Sequence, residues 1–193
     1  VLIVTAHRQA VSPNGTEKGL LEVVILLGIP MLFACVAVPV SLLLLFPSRH
    51  RKAATIVLVF SVSFIFATRF GSSSGYKIRR TAFEDLATRS TPIVAAIKEF
   101  TATNGAPPAG LTNLVPEFLP SIPSTGIGAY PDYLYEVPES NDTWDGNPWV
   151  LWIPTSSGGI NFDKFLYFPI QNYPESGYGG WLERVGDWAY VHE

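Results

Sequence analysis

The sequence predicts an α+β protein: a two-helix transmembrane hairpin, then a small domain in which one long helix packs on three or four antiparallel strands. Three observations carry that expectation. Two long apolar runs stand before residue 71, a helical spacing of apolar residues follows from Tyr76, and short aromatic and β-branched runs bounded by turn residues fill the remainder.

The first run, Leu20 to Phe46, holds one ionisable residue, Glu22, near its start. A helix of about 20 apolar residues crosses a hydrocarbon core of about 30 Å, so this run spans with residues to spare for tilt. Pro30 and Pro39 each remove a backbone donor and are expected to kink it. The second run, Ala53 to Phe70, is near the lower limit for a span. Lys52 and Arg69 flank it, and their long stems reach toward headgroups. Between the runs lies Pro47-Ser48-Arg49-His50-Arg51-Lys52, in which three of six residues are Lys or Arg. Short basic loops stay in the cytoplasm, which places residues 1–19 and the large carboxy-terminal part outside it. Lys77, Arg79 and Arg80 argue the other way, but a long domain counts for less in this rule than a short loop. Val1 to Val4 are apolar and could be the stub of a longer segment.

Gly71-Ser72-Ser73-Ser74-Gly75 reads as a flexible linker dividing the anchor from a domain at residues 76–193. The two sides differ in charge. Through Gly75 there are six Lys and Arg against two acids, and from Tyr76 onward seven against fourteen. An acidic domain disfavours nucleic acid and anionic lipid as partners. Cys35 is the only cysteine, so no intramolecular disulfide forms.

In the domain, Ile78, Ala82, Leu86, Ile93, Ile97 and Phe100 predict an amphipathic helix from about Tyr76 to Thr103, kinked or split at Pro92. Asn104-Gly105 ends it, and Pro107-Pro108 cannot continue it. Leu111 to Pro116 reads as a further short helical turn. Strands are expected at Tyr133 to Val137, Trp149 to Ile153, Phe165 to Ile170 and Trp188 to His192, separated by glycine- and Asx-rich clusters that include Gly177-Tyr178-Gly179-Gly180.

The stretch Ile93 to Phe100, then Asn104-Gly105-Ala106-Pro107-Pro108, then Leu111-Thr112-Asn113-Leu114-Val115-Pro116, resembles the globular part of type II secretion pseudopilins. Asp145-Gly146-Asn147-Pro148-Trp149 is similar to that family's approach to its first strands, and Trp188-Ala189-Tyr190 to its closing aromatic strand. The resemblance covers Tyr76 to Glu193 and implies a long helix, a proline turn and a small sheet. The anchor departs from it. A pseudopilin has one span, continuous with the domain helix, and Lys18-Gly19-Leu20-Leu21-Glu22 echoes its processing site with the glutamate too early. A glycine-serine break after a second span argues against filament assembly.

Chemistry is sparse. His7, His50 and His192 are scattered without partners at ligand spacing, and no nucleophile elbow, phosphate loop or dinucleotide fingerprint occurs, so no enzyme activity and no cofactor are expected. Asp142 and Asp145, with Asn141 and Asn147, form an oxygen-rich loop that could hold calcium, although a plain turn uses the same residues. Glu84-Asp85 reads as a solvated face and Glu22 as an interfacial acid. Trp144, Trp149, Trp152, Trp181, Trp188 and Tyr178 are the interaction candidates, with core packing weighed first, a protein interface second and a sugar groove third.

The expected role is a non-catalytic accessory subunit of a larger membrane complex, such as a photosynthetic or respiratory one, whose outer domain braces or covers its partners. Integral membrane subunits and the lipid bilayer are the partners, in a bacterial inner membrane with the domain on the periplasmic side. The alternative is a component of a type II secretion or pilus-like machine.

Overall fold

The computed structural model describes residues 1–139, 144–156, 158 and 161–193. Three helices come first: α1 (Leu2–Ala10), α2 (Lys18–Leu44) and α3 (Arg51–Asn104). Strands β1 (Leu134–Glu136), β2 (Val150–Pro154), β3 (Lys164–Tyr167), β4 (Ser176–Gly177), β5 (Gly180–Val185) and β6 (Trp188–His192) follow, with 3-10 turns at Leu111–Leu114 and Trp144–Gly146.

Both α2 and the first part of α3 are long and apolar enough to cross a membrane, with mean hydropathies of 2.7 and 1.9 over their most apolar windows. Ile25, Leu32, Phe33, Phe60 and Phe66 point outward, whereas the core helix of a soluble protein would bury them. What the hairpin buries is small. Past Leu20, which packs with Ala6 and Ala10 of α1, the buried residues of α2 and of α3 before residue 71 are Ala34, Ser41, Ala54 and Ser61, each pair seven apart, as expected where helices approach closely without a hydrophobic drive between them. Pro30 and Pro39 both lie inside α2.

Residues 71–75 do not form a linker. They lie within α3, which is helical without interruption for 54 residues, or about 80 Å at 1.5 Å per residue. The glycines serve proximity, with flexibility playing no part. Gly71 and Gly75 are one turn apart on one face, and α1 lies against them: a Cβ on Gly71 would stand 2.9 Å from Ile3 Cδ1, and one on Gly75 would stand 2.1 Å from His7 Cδ2. Each glycine costs the helix about 1 kcal/mol relative to alanine, and the packing of α1 offsets it. Pro92 does not split the helix either. It is exposed, and so is Thr88, whose carbonyl it leaves without a helical donor. The helix ends as expected, with Gly105 left-handed at φ 77° and its N–H donated to the Thr101 carbonyl.

The described residues form a six-stranded, wholly antiparallel sheet in the order β1-β2-β3-β6-β5-β4. All four expected strands are present, and the hairpin β4–β5 exceeds the predicted three or four. Its turn is Gly177-Tyr178-Gly179-Gly180, read from sequence as a bare separator. Positive φ at Gly177, Tyr178 and Gly179 reverses the chain there. The strands alternate cleanly. Leu151, Ile153, Phe165, Tyr167, Trp188 and Tyr190 face Phe83, Leu86, Ile93 and Ile97 of α3, while Val150, Leu166, Ala189 and Val191 form a second layer on the opposite face.

The amino-terminal segment ties the hairpin to the domain. Gly128 donates its N–H to the Ser12 carbonyl at 2.8 Å, and Ala10 and Leu20 pack with Ala129.

Candidate functional site

Polar chemistry gathers where α3 leaves the hairpin and meets the sheet. Arg79 lies one turn beyond Gly75 on the same buried face, 3% exposed. A guanidinium there must be satisfied by the fold. It donates from Nη1 to Tyr130 Oη at 2.6 Å, and from Nη2 to the Thr155 carbonyl at 2.6 Å and Tyr190 Oη at 2.9 Å. Asp163, 4% exposed and just before β3, completes the pair at 3.7 Å. Asp163 in turn accepts from Tyr190 Oη, from Asn161 Nδ2 at 3.0 Å and from the Glu193 N–H at 2.9 Å. The Tyr130 hydroxyl in turn donates to the Ser156 carbonyl at 2.6 Å. One side chain from α3 thereby joins β6, the residue that precedes β3, and the segments at Tyr130 and Thr155.

The electrostatics follow from the burial. Desolvation works to lower the Arg79 pKa, but the Tyr130 and Tyr190 oxygens and Asp163 outweigh it and hold it above the ordinary guanidinium value. Burial raises the Tyr130 and Tyr190 phenols against the pull of Arg79. His7, brought in by α1, is lowered to about 4, by burial first and by Arg79 second. Its Nδ1 is buried with no hydrogen-bond partner among the described residues. His192 is lowered as well, by burial and then Arg79, with Asp163 opposing. The His192 ring stacks on Trp181 at 3.8 Å, and its Nε2 contacts Glu183 at 3.2 Å.

A second set of charges flanks this node. Glu183 of β5 is paired with Arg80 and accepts from the Tyr76 hydroxyl, and Arg80 also reaches Glu84 at 3.3 Å. Lys164 and Glu193 pair at 3.1 Å. The node surrounds a cavity of about 280 Å³ bounded by His7, Tyr76, Arg79, Asp163, His192 and Glu193.

The residues singled out from sequence lie elsewhere, for the most part. Trp149 and Trp188 are core side chains, 2% and 3% exposed, against α3. Trp144, Trp152 and Tyr178 cover the opposite sheet face. Both indoles there donate to Glu136, at 2.9 Å and 2.7 Å, and Tyr178 stacks on Trp144 at 4.9 Å. Trp181 is the large exposed one of the six, at 54%. Asp142 lies outside the described residues. The Asp145 carboxylate accepts from the Tyr178 hydroxyl and its carbonyl from Asn172 Nδ2 at 2.7 Å, which builds this loop from hydrogen bonds. Among the described residues no group of three His, Cys, Asp or Glu side chains is placed to hold a metal ion.

Sequence reasoning missed the node because its members are far apart in the chain and none carries a motif. One signal was available: Arg79 falls four residues from Gly75 and four from Phe83, on the stripe that the sheet covers. No family model matches the chain, and no curated protein or solved structure matches it.

Proposed function

We propose that this chain is a non-catalytic, membrane-anchored structural subunit of a larger membrane protein complex. Its outer domain braces or covers partner subunits on the periplasmic side of a bacterial inner membrane. One observation carries the reading: α3 runs unbroken from the apolar hairpin into the domain core, and both the α1 seam and the Arg79 node lock it there. Such a connection fixes how the domain stands relative to the hairpin, which suits a brace. The buried charges at the node are engaged with one another, consistent with a structural task. The basic loop at Arg49, Arg51 and Lys52 supports the orientation. Purification of the full chain from its native membranes in mild detergent tests the reading. It should co-migrate with other integral membrane subunits, and a chain that always runs alone at its own mass overturns it.

A second reading, a component of a secretion or pilus-like machine, is favoured by the same helix. With residues 71–75 helical, the break that argued against a pseudopilin-like rod is gone, although the second span remains a departure. Crosslinking in cells distinguishes the two by recovering either secretion proteins or the subunits of another complex.

A further inference from the structure

The cleft between α2 and α3 is filled by α1 only where it meets the domain. There α1 runs in the same direction as α3, with Ile3 beside Gly71 and His7 beside Gly75, and with Ala6 and Ala10 against Leu20 of α2. Its amino end therefore points along α3 toward the apolar span. Beyond Ile3 the cleft continues as a groove of about 240 Å³, with Leu20, Leu27 and Met31 of α2 on one side and Thr68 and Ser72 of α3 on the other.

We infer that this groove is the docking site for one apolar transmembrane helix of a partner subunit. That helix lies along α3 in line with α1 and inserts aliphatic side chains between α2 and α3. The inference rests on the reading of the chain as a subunit of a membrane complex and names the place where a partner meets it.

Continuity with the α1 seam identifies the occupant. The two helices that wall the groove already hold a helix directly above it, and a second helix in line with α1 meets the same pair of ridges. From Leu20 to Met31 the groove follows α2 for about 16 Å, or about three helical turns. A helix about 10 Å across occupies roughly 1,300 Å³ over that length. The groove is much smaller, so the partner lies over it and seats side chains as knobs in a hole. Gly28 lines the groove too, and a Cβ there would meet nothing within 4 Å, which leaves room for a second backbone to come close. Two other occupants fit less well. An acyl chain offers nothing to the Thr68 and Ser72 hydroxyls, whereas a helix carries side chains that hydrogen-bond across the contact. A second copy related by a two-fold axis would set one concave face against its twin and fill neither.

The test replaces Val24, half-exposed at the groove, with a photoreactive benzophenone side chain, in the full chain and in its native membranes. The control carries the same group in place of Phe33, which helical spacing puts on the far side of α2. Position 24 should crosslink to one apolar stretch of about 20 residues in another integral membrane protein, mapped by peptide mass spectrometry, and position 33 should not reach that stretch. Gly28→Phe should lower the yield of the crosslink at least about fivefold, because its ring takes the space of the incoming side chains. The same variant should leave the melting temperature of the purified chain unchanged, since the ring displaces nothing of its own chain. Adducts with lipid or detergent alone overturn the inference, as does a crosslink within the chain or to a second copy. Equal crosslinking of the same stretch from position 33 overturns it too, and so does an undiminished crosslink in a folded Gly28→Phe chain. If that variant fails to fold, the comparison of positions 24 and 33 in the otherwise unaltered chain decides. Where other subunits co-purify and position 24 meets only lipid, the brace stands and this docking site falls, whereas a chain that always runs alone removes both.

Discussion

His7 of α1 packs directly on Gly75 of α3, so closely that a Cβ at position 75 would fall 2.1 Å from His7 Cδ2. That distance is too short for any side chain unless the imidazole or a backbone moves. At Gly71 the nearest atom is Ile3 Cδ1 at 2.9 Å, the far end of a side chain that can turn away. Gly75→Ala therefore trades a helix-propensity gain of about 1 kcal/mol against overpacking of about 1–3 kcal/mol. The expected net result is a lower melting temperature and faster tryptic cleavage at Arg8, with a smaller effect from Gly71→Ala. A rise in melting temperature for both variants is what an uncrowded helix would give, and no change is what a flexible linker would give; either result would refute the seam.

Arg79 lends itself to a sharper experiment. Arg79→Met removes the guanidinium and leaves the Asp163 carboxylate buried without its counter-ion, a change that typically costs about 3–5 kcal/mol. Adding Asp163→Asn should restore part of the loss, because the second substitution removes the stranded charge. Thermal melting of the two variants in detergent checks this. Equal instability of the single and the double variant would mean that the hydrogen bonds to Tyr130, Thr155 and Tyr190 matter and the ion pair does not.

Stability should fall in mild acid through two partly buried histidines. His7 titrates near 4 in the folded chain against 6.5 when unfolded, and His192 is shifted in the same direction. Between those values the unfolded state binds more protons, so stability rises with pH across the window. The contribution is complete above about pH 6.5 and is lost as pH falls toward 4. His7→Gln should flatten this dependence in a pH series of melting curves. An unchanged slope would assign the effect to other groups.

What sequence could and could not disclose follows from the range of the interactions. Helix and strand positions are set by local spacing, so four strands and the Asn104-Gly105 stop were legible. The segment at residues 71–75 was not. Glycine and serine in a row carry the composition of a linker, and only the presence of α1, more than sixty residues upstream, makes the same glycines a helix-packing surface. Tyr178 hid a strand pair for a similar reason, since glycines on both sides of it mark a turn without saying whether the flanks pair. The Arg79 node was the least legible part. Its carboxylate is 84 residues away and its phenols lie 51 and 111 away, so no local pattern joins them.

The aromatic residues yield the prediction that bears most directly on function. Trp188 is buried between Phe165 and Tyr167, stacked on the former at 4.9 Å, and Trp188→Ala should cost about 3–5 kcal/mol. Trp181 lies on edge-proximal β5, 54% exposed, with His192 as its stacking partner. Its loss should change stability by less than about 1 kcal/mol. His192 also approaches Tyr76 at 6.1 Å, which puts Trp181 at the end of the domain nearest the hairpin, where the proposed brace would meet a partner subunit. Exposed indoles at such places are common anchors of protein interfaces. Trp181→Ala is expected to leave the melting temperature of the purified chain almost unchanged while reducing the yield of co-purifying subunits several-fold. Full recovery of those subunits with the variant would remove Trp181 from the interface and return the contact to the apolar sides of α2 and α3.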